Sequence, residues 1–286
     1  MTKLFHEDDG LATLGPELVE VRTLLEGCFL QWALEIGASN MLFPPLLPIR
    51  ELDRFDYFRN FPHLATVASQ INSKRLDEYL APACTCSVPS AHLVDAEYAL
   101  LSAACYPIYL HFKDTRLDST KYITTVATCF RNEHEYSGLS RMRGFSMREI
   151  VCIGDYAAVV NHLASFKTKV LDFAAELGIS LEIETASDPF FQPNGEAEKA
   201  SGARALMAKL FPTKEEFVYG TGLAIASLNF HRNFFGERCN ISTSDQASAF
   251  TGCIAFGIER WMFALLTSFK DDTCAIVDAI TTASKS

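Results

Sequence analysis

Positive charge is scarce in this chain. Its 286 residues carry 25 Lys and Arg against 35 Asp and Glu, a formal net charge of −10. That balance argues against a broad nucleic-acid footprint, because phosphate binding normally draws on a basic face. It leaves room for a local basic pocket. Long apolar runs are also missing: none reaches the roughly 18 residues needed to span a bilayer, so no membrane partner is expected. There are no internal repeats, no low-complexity tract and no clear linker. The organisation expected is therefore a flexible N-terminus over 1–16 and a single domain over 17–286. Cysteine is present but unpatterned. The nine cysteines are odd in number, irregularly spaced and preceded by no signal-peptide pattern. They read as reduced, mostly buried thiols of a cytoplasmic protein. Cys84 and Cys86 form a C-x-C, too short a signal for a metal site.

What is present suits a packed core: 49% of residues are hydrophobic and 21% charged. Leu18, Val21, Leu24, Leu25, Cys28, Phe29, Trp32 and Ile36 recur at helical spacing, with Gly37 as a stop. The proline-bearing stretch "MLFPPLLPIRELDRFDYF" that follows reads as an extended edge or interface segment. Residues 90–104 read as a helix ended by Pro107. "KYITTVATCFRNE" and "RGFSMREIVCIG" read as antiparallel strands joined by a loop over 134–140. Beyond them come a helix over 156–177, a short strand "LEIETAS" and a second helix over 195–210, together a helical insertion at about 156–210. "EEFVY", "LAIASLNF" and "FTGCIAFG" read as strands, and Gly257 opens a last helix. The fold class expected is α+β, an antiparallel sheet flanked by helices.

The hairpin around residues 129–151 concentrates opposed charge. Strand alternation puts Ala127, Cys129, Arg131 and Glu133 on one side of the first strand, and Arg141, Arg143, Phe145, Met147 and Glu149 on one side of the second. If both sides face one pocket, Arg131 can fork onto a phosphate and Phe145 can stack on a base. A salt-laced exposed hairpin explains the same residues equally well. Arg260 tips the balance. It stands in the first turn of a helix that directly follows a buried strand, a position that favours anions. Two separated arginine elements at strand edges make an ATP site the better reading.

These residues resemble the catalytic core of class II aminoacyl-tRNA synthetases. That family's second motif, an aromatic–Arg–x–Glu strand, a loop and Arg–x–x–x–Phe–x–x–x–acid, is matched at Arg131, Glu133, Arg141, Phe145 and Glu149. Its third motif, Gly–apolar–Glu–Arg, is matched by Gly257-Ile258-Glu259-Arg260. Helix 17–36 followed by Pro44-Pro45 resembles the first, dimer-forming motif, which implies a homodimer through residues 40–50. The resemblance covers roughly residues 17–270. It implies ATP binding by Arg131, Glu133, Arg141, Phe145 and Arg260, with Arg131, Arg260 and Mg2+ stabilising charge on the α-phosphate. Within this family the methanogen-type seryl-tRNA synthetases hold zinc with two Cys and one Glu. The matching residues here are Cys105, Glu149 and Cys253, although a buried apolar role remains open for each cysteine. Glu237 is a candidate Mg2+ ligand or simply an exposed carboxylate. Glu133, Asn229 and His231 are candidates for the amino-acid pocket, a hydrogen-bonded core histidine being equally compatible with His231.

About 16 residues precede the first core helix and the chain is acidic, which points away from tRNA as a partner. In this the chain is similar to the amino acid:[carrier protein] ligases, stand-alone homologues that load glycine or alanine onto the phosphopantetheine thiol of a carrier protein. "SDPFFQP", "LNFHRNFFGERCNI" and "TGCIAFGIERW" look like that family. Its carrier-docking helix would correspond to 195–210, where Lys199, Arg204 and Lys209 would meet an acidic carrier; a solvated helix face explains these cations as well. A truncated seryl-tRNA synthetase-like enzyme that charges tRNA and a catalytically inactive regulatory paralogue are the competing readings.

Overall fold

The computed structural model describes residues 4–80, 85–186 and 213–285. The chain opens with β1 (Phe5–Asp8) and β2 (Leu11–Leu14), an antiparallel hairpin, and α1 (Pro16–Glu35). Then follow β3 (Ser39–Asn40), β4 (Leu46–Pro48), α2 (Ile49–Asp53), α3 (Tyr57–Asn60), β5 (Val67–Ala68), β6 (Tyr98–Leu100) and α4 (Tyr106–His111). The central hairpin is β7 (Lys121–Phe130) and β8 (Gly144–Gly154), followed by α5 (Tyr156–Glu176) and β9 (Leu181–Ala186). The described chain closes with β10 (Lys214–Tyr219), β11 (Leu223–Arg232), α6 (Phe234–Arg238), β12 (Phe250–Gly257), α7 (Ile258–Phe269) and α8 (Thr273–Ala283).

Among the described residues, seven strands form the main sheet in the order β3-β7-β8-β12-β11-β10-β9. All pairings are antiparallel except β3 with β7. Period-2 alternation in the central strands sends side chains to two faces. Ile150, Ile254, Phe256 and Leu228 face α1, α5, α7 and α8 and build the larger core. At its centre Phe256 stacks on Phe29 with ring centroids 4.0 Å apart, and Phe173 and Trp261 close around Phe29 at 6.0 and 5.5 Å. Each buried ring of this kind contributes about 1.5–3 kcal/mol. Ile123, Val151 and Cys253 face the other way, onto a second core built with α2, α3, α4 and α6.

Two expectations need correction. The stretch over 1–16, expected to be flexible, contains the β1–β2 hairpin. Asp9 and Gly10 form its two-residue turn with positive φ at both positions (+49° and +77°), the geometry that Asp-Gly favours. Phe5, Ala12 and Leu14 then alternate onto the larger core. The helix expected over 90–104 is not formed. Ser90–His92 is one 3-10 turn, and Tyr98–Leu100 is the central strand of a small β4-β6-β5 sheet. Pro107 lies in the first turn of α4 and so opens a helix instead of ending one, since the N–H it lacks has no helical partner there. Within the insertion expected at about 156–210, α5 and β9 stand where the sequence places a helix and a short strand, and β9 pairs with β10 in the main sheet. The helix expected over 195–210, with Lys199, Arg204 and Lys209, lies outside the described residues.

Arg148 and Glu149 are neighbours that leave β8 on opposite faces. The Arg148 side chain is 2% exposed on the helix face. Its Nε donates to Glu26 Oε1 at 2.7 Å, Nη2 bonds the same oxygen, and Nη1 donates to Thr124 Oγ1 at 2.8 Å. Removing one partner strands a buried charge, so Glu26→Ala should cost about 3–5 kcal/mol in a denaturant titration. Replacing both residues with methionine should recover most of that loss; a single-mutant loss below about 1 kcal/mol would refute the role assigned to the pair.

Candidate active site

The side chains on the second face of the sheet follow from register. Thr125, Glu149, Ala255, Ser227 and Glu216 form one cross-strand row, and Val151, Cys253, Asn229 and Lys214 form the next. Glu149 and Cys253 are therefore diagonal neighbours on adjacent strands. Cys105 comes from elsewhere: it caps the N-terminus of α4, which lies over this face. The seating of α4 is visible in hydrogen bonds. Glu149 Oε1 accepts from the backbone N–H of Ala104 at 2.8 Å and of Cys105 at 3.2 Å.

The result is a cluster in which Cys105 Sγ, Cys253 Sγ and a Glu149 carboxylate oxygen all lie within 4.8 Å of one another. The three residues are 4%, 1% and 1% exposed. The two thiols lie beside each other within this cluster. Burial pushes Cys105 up to about 11, and the neighbouring Cys105 thiol, then burial, holds Cys253 well above the usual thiol range. The Cys253 sulfur also meets a neutral donor: Asn229 Nδ2 donates to it at 3.4 Å. His231 Nε2 is 3.9 Å from Cys253 Sγ, while its Nδ1 is 3.3 Å from both Tyr109 Oη and Thr251 Oγ1. Burial pulls His231 down to about 3, so the ring is neutral. The structure thus sets Asn229 and His231, expected to line an amino-acid pocket, against the Cys253 sulfur as well as on the cavity wall.

That cavity holds about 160 Å³ and runs from the cluster past Ser102, Met147 and Lys214 to Arg131. Arg131 Nε donates to the Ser102 carbonyl at 3.2 Å, and the guanidinium lies 5.2 Å over the Phe145 ring. One face of Phe145 is thereby covered by Arg131. Phe145 also lines an adjoining cleft with Glu133, Met142, Glu259 and Arg260. Arg260 is pinned by two backbone carbonyls, Nε to Ser140 O and Nη1 to Ala224 O, both at 2.9 Å. Burial, then the Arg131 charge, pulls its pKa below the usual arginine value. Arg141 is exposed and lines neither the cleft nor the cavity, although its Nη1 is 4.0 Å from Glu133 of the cleft wall. Glu259, beside Arg260, is a fastener: its carboxylate accepts from the Ser146 N–H at 2.8 Å, and burial raises its pKa.

Glu237 is not brought to either space. It is exposed on α6, where its carboxylate accepts from Asn233 Nδ2 at 2.6 Å, and it lines neither the cavity nor the cleft. Side chains overlooked in the sequence fill the walls instead. Ser227 was legible from the alternation that links it to Asn229 and His231. Lys214 was not, because only the β10–β11 register puts it opposite Asn229.

Residues 90–269 match the family model described as the tRNA synthetase class II core domain (G, H, P, S and T). The chain is 27% identical to an amino acid–[acyl-carrier-protein] ligase 1 of Bradyrhizobium diazoefficiens, over 96% of the chain and 85% of that relative. It is 24% identical to a type-2 serine–tRNA ligase of Methanococcus aeolicus, over 83% of the chain and 48% of the relative. In fold it is similar to the M. kandleri SerRS solved in complex with A. aeolicus tRNASec, with a TM-score of 0.80 at 19% identity over 96% of this chain and 58% of that one. The chain therefore spans 48% and 58% of the lengths of these two synthetases.

Proposed function

The chain belongs to the class II tRNA synthetase core family, whose model it matches over residues 90–269, and from that premise we propose that it activates a small amino acid, glycine or alanine, with ATP and passes it to the phosphopantetheine thiol of a carrier protein. The observation that carries this reading is the convergence of Cys105, Glu149 and Cys253 at one end of a cavity whose other wall is Arg131. The likeness to a carrier-protein ligase along nearly the whole chain supports the choice of acceptor.

The donor set of two thiols and one carboxylate fits zinc, which takes Cys and Glu ligands and keeps a position free when the protein supplies three. Zinc held by Cys105, Glu149 and Cys253 would supply a seat for the substrate's α-amino group. Asn229, which donates to the Cys253 sulfur, would stabilise it as a thiolate. The cavity is small, which suits an amino acid with little or no side chain, although one methyl group discriminates by only about 1–3 kcal/mol.

Arg131 and Arg260 are placed to stabilise charge on the α-phosphate. A carboxylate oxygen of the amino acid attacks the α-phosphorus, the bond to the β-phosphate oxygen breaks, and pyrophosphate leaves. The acceptor thiol then loses its proton and attacks the acyl carbon, the bond to the phosphate oxygen breaks, and AMP leaves. ATP would arrive with Mg2+, and Glu237, exposed on α6, lies outside both the cavity and the cleft. Buried, reduced Cys105 and Cys253 suit a cytoplasmic setting, and no described helix is long and apolar enough to cross a membrane. Leu42, 86% exposed in the proline-bearing segment, suits a homodimer contact there.

The test is acceptor choice. With ATP and labelled glycine or alanine, the protein should load a phosphopantetheinylated acyl carrier protein through a hydroxylamine-labile bond and leave total tRNA unlabelled. Label on tRNA and none on the carrier would overturn the proposal in favour of a tRNA-charging enzyme.

A further inference from the structure

We infer that the tip of the N-terminal hairpin, Asp9-Gly10, is a positioning element for the candidate nucleotide cleft: it clamps the 136–143 loop from outside and thereby sets Arg131, Arg141 and Arg260. The inference rests on the reading of that cleft as the ATP site.

The contact is specific on both sides. Glu7 Oε1 accepts from Gly10 N at 2.6 Å, which fixes the turn. The Gly10 carbonyl then accepts from the backbone N–H of Arg143 at 2.9 Å. The Arg143 side chain turns back onto the tip: Nη2 is 3.0 Å from each carboxylate oxygen of Asp9, and Nε donates to the Asp9 carbonyl at 3.1 Å. Gly10 has no room for a side chain. A Cβ there would lie 2.6 Å from the Tyr136 ring and 2.9 Å from Arg143 N. The other face of the packing is sealed by the Arg143 guanidinium, 4.6 Å from the Tyr136 ring centroid.

From the clamped loop, short links reach each of these arginines. The Arg143 carbonyl accepts from the backbone N–H of Arg131 at 3.0 Å, so one residue joins the hairpin tip to Arg131. Ser137 exchanges two backbone hydrogen bonds with Arg141, at 2.9 and 3.1 Å. Ser140, inside that turn, offers the carbonyl that holds Arg260 Nε. A tip that lets go of Arg143 and Tyr136 frees the loop that carries all three anchors. The amino-acid end of the cavity, held by Glu149 and the strand register, does not depend on this loop.

The two ends of the site therefore separate in an experiment. ATP–pyrophosphate exchange should show the KM for ATP rising about threefold in Asp9→Ala, which removes an exposed ion pair. In Gly10→Ala, where a side chain must enter filled space at φ +77°, the rise should be about tenfold or more. The KM for the amino acid should stay within about twofold in both, and a double-mutant cycle with Arg143→Ala should show coupling. An unchanged KM for ATP in both variants, or equal rises in both KM values, would overturn the inference. Trypsin cleavage after Arg141, without any substrate, is the second measurement: it should be faster in Gly10→Ala than in the wild type, and equal rates would refute the clamp. Should the wild type show no exchange at all, the adenylation reading fails, while the cleavage rates still decide the clamp.

Discussion

Cys253→Ser and Cys105→Ser proteins should each purify with little zinc and lose amino-acid-dependent ATP–pyrophosphate exchange, while their circular dichroism spectra stay close to wild type. Loss of a single outer partner of a metal site typically costs 10–100-fold in affinity or activity, so loss of a ligand should exceed roughly 100-fold. The effect on the fold should be modest because serine keeps the small size of the thiol it replaces in the second core, to which Cys105 and Cys253 belong. Glu149 is tied to the N–H groups of Ala104 and Cys105, and the larger core lies on the opposite face of the sheet. A buried hydroxyl in place of a thiol adds a cost of about 1–3 kcal/mol if it finds no partner. Metal content by mass spectrometry and a denaturant curve on the same preparations separate the two effects. Stoichiometric zinc retained in both variants would refute the assignment of the centre.

Arg260→Ala should lower exchange by about 10²–10³-fold, the size of effect seen when one preorganised electrostatic contact to a reacting group is removed. The structural reason lies in how the side chain is held. The carbonyls of Ser140 and Ala224 take Nε and Nη1, so the guanidinium is fixed before substrate arrives. Arg260→Lys should not rescue activity, since an ammonium has no planar fork to satisfy both carbonyls and still present a donor to phosphate. Exchange at wild-type rate in Arg260→Ala would refute the role assigned to this residue.

Much of the site could be read from residue patterns because it sits on strands. Alternation in "RGFSMREIV" puts Phe145, Met147 and Glu149 on one side, and the structure keeps them there. Alternation in "FTGCIAFG" likewise puts Cys253 and Ala255 on one side, where the register keeps them. Cys105 could not be placed by periodicity, since it lies at the start of a short helix whose seat on the sheet is a tertiary fact. It was proposed from family resemblance alone. The helix misread over 90–104 shares that cause: apolar spacing there serves a short strand and a loop, and Pro107 was taken as a stop when it stands at a start. The N-terminal hairpin had a signal that was passed over, Asp-Gly between alternating residues. Glu237 has two readings in the sequence, Mg2+ ligand or exposed carboxylate, and the structure shows it exposed on α6.

The bonds that Ala104 and Cys105 give to Glu149 have one more consequence. The cup is shaped by the chain's own backbone before any ion enters. On the zinc reading proposed above, a copy that loses its ion would keep this cup and could be refilled without refolding.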